Sequence, residues 1–289
     1  MTTFATDLKF PEGPVVLSDG SFLVVEGGRG CVTQISPDGQ SKRIVAVTGE
    51  PNGLAVDKTG AIWVADLRPP ALIRLTMDGT FERVLTGCQA EDFLFPNDLC
   101  FGPDGALYLT DSGFLVDELV LDGVIRQDWM RVKMDGRLYR VDVSNMAIEK
   151  LDSGFRCING IAFSPDQDLY VNETATGLVY RYRWKEGRVV GSRQEFGNVN
   201  VPDGSATFRG PDGMAFALDG KLYVAVYAQG DITILGKDGG VIKRIQTSGN
   251  QPTNVCFGLP GQKKIYVTEC ERACLECFHV EAEGLPLWQ

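Results

Sequence analysis

The sequence predicts an all-β fold, a six-bladed β-propeller of four-stranded antiparallel blades around a central channel. Three observations lead there. One hairpin pattern occurs six times, a second and less regular hairpin follows the copies, and successive copies start about 40 to about 60 residues apart, the length of a propeller blade.

The copies run in order along the chain. They are "EGPVVLSDGSFLVVE" from Glu12, "NGLAVDKTGAIWVAD" from Asn52, "NDLCFGPDGALYLTD" from Asn97, "NGIAFSPDQDLYVNE" from Asn159, "DGMAFALDGKLYVAV" from Asp212 and "NVCFGLPGQKKIYVTE" from Asn254. Each is a short apolar strand, a turn rich in Asp, Gly and Pro, and a second strand with an aromatic or β-branched centre. Between them lie pairs such as "CVTQISPDGQSKRIV", "ALIRLTMDGTFERVL" and "DITILGKDGGVIKRI", which also alternate and turn at Asp-Gly. Two hairpins per copy make one four-stranded sheet. Six such sheets fill the 289 residues, so residues 1–289 are expected to form one propeller domain with no linker. A generic antiparallel sandwich has no reason to repeat a turn and a polar doublet six times in register. The stretch "SGFLVDELVLDGVIRQDWMRVK", residues 112 to 133, lengthens the third unit and is expected to form a loop over one face.

Composition narrows the function. Apolar residues make up 44% and charged residues 23%, ordinary for a globular chain, and no apolar run is long enough to cross a bilayer as a helix. The start, "MTTFATDLKF", lacks a basic segment followed by an apolar one, so a cytoplasmic location is expected. A formal net charge of -10 argues against nucleic-acid and anionic-membrane partners. The eight cysteines read as reduced thiols packed in the core. "CERACLEC" has spacing that suits zinc, but a fourth ligand is wanting, and the alternation of "ACLECFHVEA" fits a strand.

In a propeller the innermost strands stand side by side around the channel, so equivalent positions of the copies form rings. Glu12, Asn52, Asn97, Asn159, Asp212 and Asn254 are therefore expected to converge. The second strands return to the same end, which puts Glu26, Asp66, Asp111, Glu173 and Glu269 on that face, further out. Two carboxylates and up to four amide oxygens suit a hard divalent cation, and Glu12 with Asp212 supplies its two balancing charges. Without a metal the two carboxylates repel, and one takes up a proton. Such residues also form turns, as Pro-Asn-Gly does anywhere. Glu12, a poor turn residue standing in register with the others, tips the reading toward a metal.

At these residues the sequence resembles the gluconolactonase and regucalcin (senescence-marker-protein) family of six-bladed propellers, related more distantly to diisopropylfluorophosphatase and the paraoxonases. The likeness runs through "PEGP", "PNGLAVD", "FPNDLCFGPDGALYLTD", "INGIAFSPD", "GPDGMAFALDGKLYVA" and "PTNVCFG". The resemblance implies one catalytic divalent metal, calcium first and magnesium, manganese, iron or zinc next, held by Glu12, Asn159 and Asp212, with Asn97 on the metal or the substrate. It implies hydrolysis of a small-molecule lactone, with Asp212 steering the attacking water and Asn97 holding the carbonyl or its oxyanion. Asn97, Phe95, Asp111, Trp129 and Glu173 are the expected substrate contacts. Sugar-lactone members of the regucalcin type carry arginine two residues before the asparagine matching Asn97; this chain has Phe95, and Phe93, Phe114 and Trp129 are near in sequence, so a more apolar lactone is expected. Two rival functions stand beside this one: phosphotriester hydrolysis of the diisopropylfluorophosphatase type, and a non-catalytic calcium-binding scaffold.

Overall fold

The computed structural model describes residues 1–287 apart from 203, 205 and 206. Six four-stranded antiparallel sheets follow one another around a ring, the six-bladed β-propeller expected from the repeats. The first blade is Pro11–Val16, Phe22–Glu26, Cys31–Ile35 and Lys42–Val47; the second is Pro51–Val56, Ile62–Leu67, Pro70–Leu75 and Phe81–Leu85. The third comprises Pro96–Phe101, Leu107–Asp111, Gly136–Asp142 and Ala147–Phe155, and the fourth Ile158–Phe163, Leu169–Glu173, Leu178–Lys185 and Arg188–Asn198. The fifth has Gly210–Phe216, Leu222–Tyr227, Asp231–Leu235 and Val241–Gln246. The sixth takes Pro252–Phe257, Lys264–Glu269 and Cys274–His279 from the end of the chain and its outermost strand, Thr2–Ala5, from the beginning. Thr2 pairs with Cys277 and Ala5 with Leu275, which fastens the ring.

Each blade is covered on both faces by its neighbours, which is why its inner strands are apolar throughout instead of alternating. All five residues of Phe22–Glu26 are buried, for example. One apolar cluster fills each gap between adjacent blades. Leu23, Val25, Ile62 and Val64 join the first two blades, and Tyr108, Phe155, Ile161 and Phe163 join the third and fourth. At the seam between the sixth and first blades, Phe4, Phe22 and Tyr266 pack as a trio with ring centroids 4.4 to 5.1 Å apart. Burying an aromatic in this way contributes about 2–3 kcal/mol of transfer free energy per side chain, so the gaps between blades are where the core lies.

The long connection in the third blade is the one large departure from the repeat. It carries a one-turn helix, Val116–Leu119, a small hairpin of Val120–Leu121 with Val124–Ile125, and a 3-10 turn at Trp129–Arg131. As expected, it lies over one end of the channel. Asp117 tethers it to the second blade: Arg68 Nη2 and Nη1 reach Asp117 Oδ1 and Oδ2 at 2.6 and 3.1 Å, and Arg68 also pairs with Glu50. All eight cysteines are free thiols. No helix among the described residues is long and apolar enough to cross a membrane.

Candidate active site at the channel mouth

The innermost strand of every blade begins at the same end of the ring, and pairing register identifies its first channel-facing residue. Pro11 pairs with Glu26, Pro51 with Asp66, Pro96 with Asp111, Ile158 with Glu173, Pro211 with Val226 and Pro252 with Glu269. The residue after each partner faces the channel: Glu12, Asn52, Asn97, Asn159, Asp212 and, in the sixth blade, Thr253. These six line one cavity of about 850 Å³. Asn254 is thus one place too far along to belong to the ring, which corrects the expectation. It lies behind Glu12 and donates from Nδ2 to Glu12 Oε2 at 2.8 Å, while its own Oδ1 accepts the Val255 N–H.

Asn254 occupies the place that glycine takes in four blades, directly after the ring residue. There the inner strands come so close that a Cβ on Gly213 would fall 1.9 Å from Asn254 Cγ, and one on Gly53 would fall 2.5 Å from the Asn97 carbonyl oxygen. The only other side chain at this level is Asp98, packed against Gly53. Asp98 is a third buried carboxylate that sequence reading passed over, and its Oδ1 accepts the Leu99 N–H at 2.9 Å.

Hydroxyl groups settle how the ring amides point. Ser112 Oγ donates its single proton to the Ile158 carbonyl at 2.7 Å, so it can only accept from Asn97 Nδ2 at 3.0 Å. Thr174 Oγ1 likewise donates to the Pro211 carbonyl at 2.8 Å and accepts from Asn159 Nδ2 at 3.3 Å. Both amide nitrogens are thereby held by the wall, which fixes the orientation of the two amides and leaves each Oδ1 away from it. Asn52 Nδ2 donates to the Asn97 carbonyl at 3.1 Å and to Asn97 Oδ1 at 3.3 Å. Glu12 Oε2 accepts the Gly13 N–H at 2.6 Å, and Asp212 is close enough for its charge to act on the Glu12 carboxyl.

Two neighbouring buried carboxyls favour keeping a proton over carrying two charges. Burial first, then Asp212 and Asp98, pushes the Glu12 carboxyl well above its ordinary range. Asp212 is raised by burial and then by Asp98, against the lowering hydrogen bonds from Glu12 and Asn159. Buried carboxylates that resist ionisation and carry no cationic partner fit a dication: it would replace the retained proton and reverse the penalty. The donor set, carboxylate and amide oxygen with neither imidazole nor thiolate, is that of a hard ion. Among the described residues no cluster of three or more His, Cys, Asp or Glu side chains is placed to hold a metal, so this mixed set is the candidate.

The expected outer carboxylates have a different task. Glu26 accepts the Lys9 N–H, Asp66 that of Glu50, Asp111 those of Leu94 and Phe95, Glu173 that of Arg156 and Glu269 that of Gln251, all at 2.7 to 2.9 Å. Each one pegs the backbone that enters its own blade. Asp111 and Glu173 are consequently buried beneath the loops, outside the cavity, and the expectation that they touch substrate is corrected. Phe95 and Trp129 do line the cavity, with Phe114 and Phe208. Phe93 instead belongs to the core between the second and third blades.

Other nucleophiles find no support. Cys157 lines the cavity, but burial pushes its thiol up to about 12, and the Cys270 thiol is raised well above its ordinary value by burial and then by Glu12 and Asp212. His279, the only histidine, pairs with Lys264 at the opposite end of the sixth blade and is exposed.

Residues 10–271 match the model of the family described as the SMP-30/Gluconolactonase/LRE-like region. The chain is 29% identical over 282 residues to a gluconolactonase of Zymomonas mobilis subsp. mobilis, covering 89% of this chain and 76% of the relative. It is 28% identical over 317 residues to the diisopropyl-fluorophosphatase of Loligo vulgaris, covering 98% of this chain and 93% of the relative. Among solved structures, a gluconolactonase from Xanthomonas campestris superposes with a TM-score of 0.78 at 22% identity over 98% of this chain and 89% of its own. The calcium-binding protein regucalcin from Agrobacterium tumefaciens gives 0.77 at 18% identity, covering 100% of this chain and 95% of its own. At such identities these two likenesses speak to the fold alone.

Proposed function

Because the chain belongs to the SMP-30/Gluconolactonase/LRE-like family, we propose that it is a hydrolase that opens small-molecule lactones in the channel-mouth cavity, with one divalent cation, calcium first, as cofactor. The observation that carries this reading is the pair of buried carboxylates Glu12 and Asp212, which line, with the amides of Asn52, Asn97 and Asn159, one cavity able to hold a drug-sized ligand. Relatives named as lactonases support the substrate class, and the all-oxygen donor set supports a hard ion.

Glu12, Asn159, Asp212 and Asn97 would hold the ion. When bound, it would polarise the acyl carbonyl and make an adjoining water more acidic. Asp212, a carboxylate lining the cavity beside Asn97 and Asn159, takes the proton of the attacking water. Asn97 gives one N–H to Ser112 and has a second for the carbonyl oxygen, whose negative charge grows as water adds. The water oxygen bonds to the acyl carbon, the acyl C–O bond breaks, the ring oxygen takes the proton back from Asp212 and leaves as an alcohol, and the new carboxylic acid gives its proton to solvent. Asn254 holds Glu12 in place from behind.

The test is elemental analysis of protein purified without chelator, then a pH-stat assay on lactones. Glu12→Gln and Asp212→Asn keep size and remove charge; both are expected to lose the metal and to lower kcat/KM by at least about a hundredfold while the fold persists. Unchanged metal content in both variants, or no turnover of any lactone with any divalent ion, overturns the proposal. The squid relative favours a second reading, phosphotriester hydrolysis. A phosphotriester turned over with a higher kcat/KM than every lactone would put that reading first, and bound metal without any turnover would favour a calcium-binding scaffold.

A further inference from the structure

The cavity is divided by chemistry. Its floor is the ring of acids, amides and Thr253; one side of its wall is Phe95, Phe114, Leu119, Trp129 and Phe208, a contiguous apolar cluster, and Glu50, Gln127, Tyr227 and Gln251 also line it. Phe95 meets Phe114 edge-on with ring centroids 5.4 Å apart, and Trp129 meets Phe208 edge-on at 5.2 Å. The second contact joins the long third-blade connection to the segment that leads into the fifth blade, so the wall draws on two separate parts of the chain.

Charge is equally uneven. Among the described residues Arg126 is the one basic residue lining the cavity, and its guanidinium is engaged: Nε and Nη2 reach Asp128 Oδ1 and Oδ2 at 2.6 and 2.8 Å, and Nη1 donates to the Glu118 carbonyl. An anionic substituent laid against the wall would therefore find no uncommitted side-chain cation among the described lining residues. A polyhydroxylated ring fits the wall no better, since each hydroxyl laid on Phe, Leu and Trp carbon gives up water without gaining a partner.

We propose that the lactone taken here is uncharged and carries an apolar alkyl or aryl substituent, which lies on the Phe95, Phe114, Trp129 and Phe208 wall while the ester group meets the oxygen-lined floor. The inference rests on the lactone-hydrolase reading and names the substrate class for it.

The experiment uses the metal-loaded full chain with three δ-lactones: δ-hexalactone, δ-nonalactone, which differs by three methylenes in its side chain, and glucono-δ-lactone. At about fourfold per buried methylene, kcat/KM should rise about 60-fold from the first to the second, and the second should exceed the sugar lactone by more than about tenfold. Trp129→Ala and Phe208→Ala should each lower the nonalactone-to-hexalactone ratio to about fivefold, whereas Phe208→Leu, which restores apolar surface, should keep it above about twentyfold. A ratio does not depend on the fraction of enzyme that folds. Preference for the sugar lactone, or a ratio near one in the unaltered protein, overturns the inference and leaves lactone hydrolysis standing. No turnover of any of the three removes the hydrolase reading and the inference together.

Discussion

Asp98 offers a direct measure of how strongly the channel opposes negative charge. Burial pushes its carboxyl up to about 7 from an ordinary value of 3.8, partly offset by the N–H groups of Leu99 and Ile161. Sign follows from which state holds the proton more tightly. Folded Asp98 does, so its contribution is fully present below pH 4 and is lost as pH rises toward 7 and beyond. A rise of about 3 pKa units corresponds to about 4 kcal/mol, and the group is buried, so solvent screening takes little away. Asp98→Asn removes the ionisation and keeps an oxygen for the Leu99 N–H, but sets an NH2 against the Ile161 N–H, a pH-independent cost of about 1–3 kcal/mol. Urea denaturation of chelator-treated protein, followed by tryptophan fluorescence at pH 4 to 8, should therefore give two curves with different slopes. The variant begins less stable, and the difference moves in its favour by about 4 kcal/mol across the range. A difference that stays constant with pH would refute the reasoning, because it would mean Asp98 ionises as easily in the channel as in the unfolded chain.

The remaining predictions test the frame around the site. Glu173→Ala leaves the Arg156 N–H and the Thr176 hydroxyl without their acceptor and should cost about 1–3 kcal/mol in the urea midpoint, with KM for a lactone within about twofold of the original, since Glu173 is outside the cavity. Thr253→Val removes the hydroxyl that donates to the Pro11 carbonyl at 2.7 Å across the seam and should lower stability by about 1 kcal/mol. Arg68→Met frees Asp117 and should raise the protease sensitivity of the third-blade connection, read as the rate of the first cleavage, while changing global stability by less than about 1 kcal/mol, as befits an exposed ion pair.

Most of the architecture was legible because a propeller writes its blade six times, and the repeated turn and polar doublet survive differences in the outer strands. Five ring positions came from that repeat; the sixth slipped. Thr253 and Glu269 are 16 positions apart where Glu12 and Glu26 are 14, and the longer turn makes Asn254 look equivalent to the other asparagines. The preceding proline, shared by Pro11, Pro51, Pro96, Pro211 and Pro252, was the signal that would have found Thr253. Asp111 and Glu173 were misjudged for another reason. A carboxylate at a strand end can turn toward a ligand or back onto the incoming backbone, and the choice depends on where Leu94, Phe95 and Arg156 lie in space. Phe208 was invisible, because nothing in its local sequence says that the segment before the fifth blade meets Trp129 from the third.

The strand Thr2–Ala5, paired with Cys274–His279, gives the molecule a peculiar relation between synthesis and completion. Thr2–Ala5 has no permanent partner until Cys274–His279 has been made, so the toroid stays open while the five blades between them are synthesised. Glu12 also waits, since Asn254 is its support. The setting of Glu12 and the mechanical closure of the ring are therefore both completed by the sixth blade, and a chain that stops short of Asn254 carries neither.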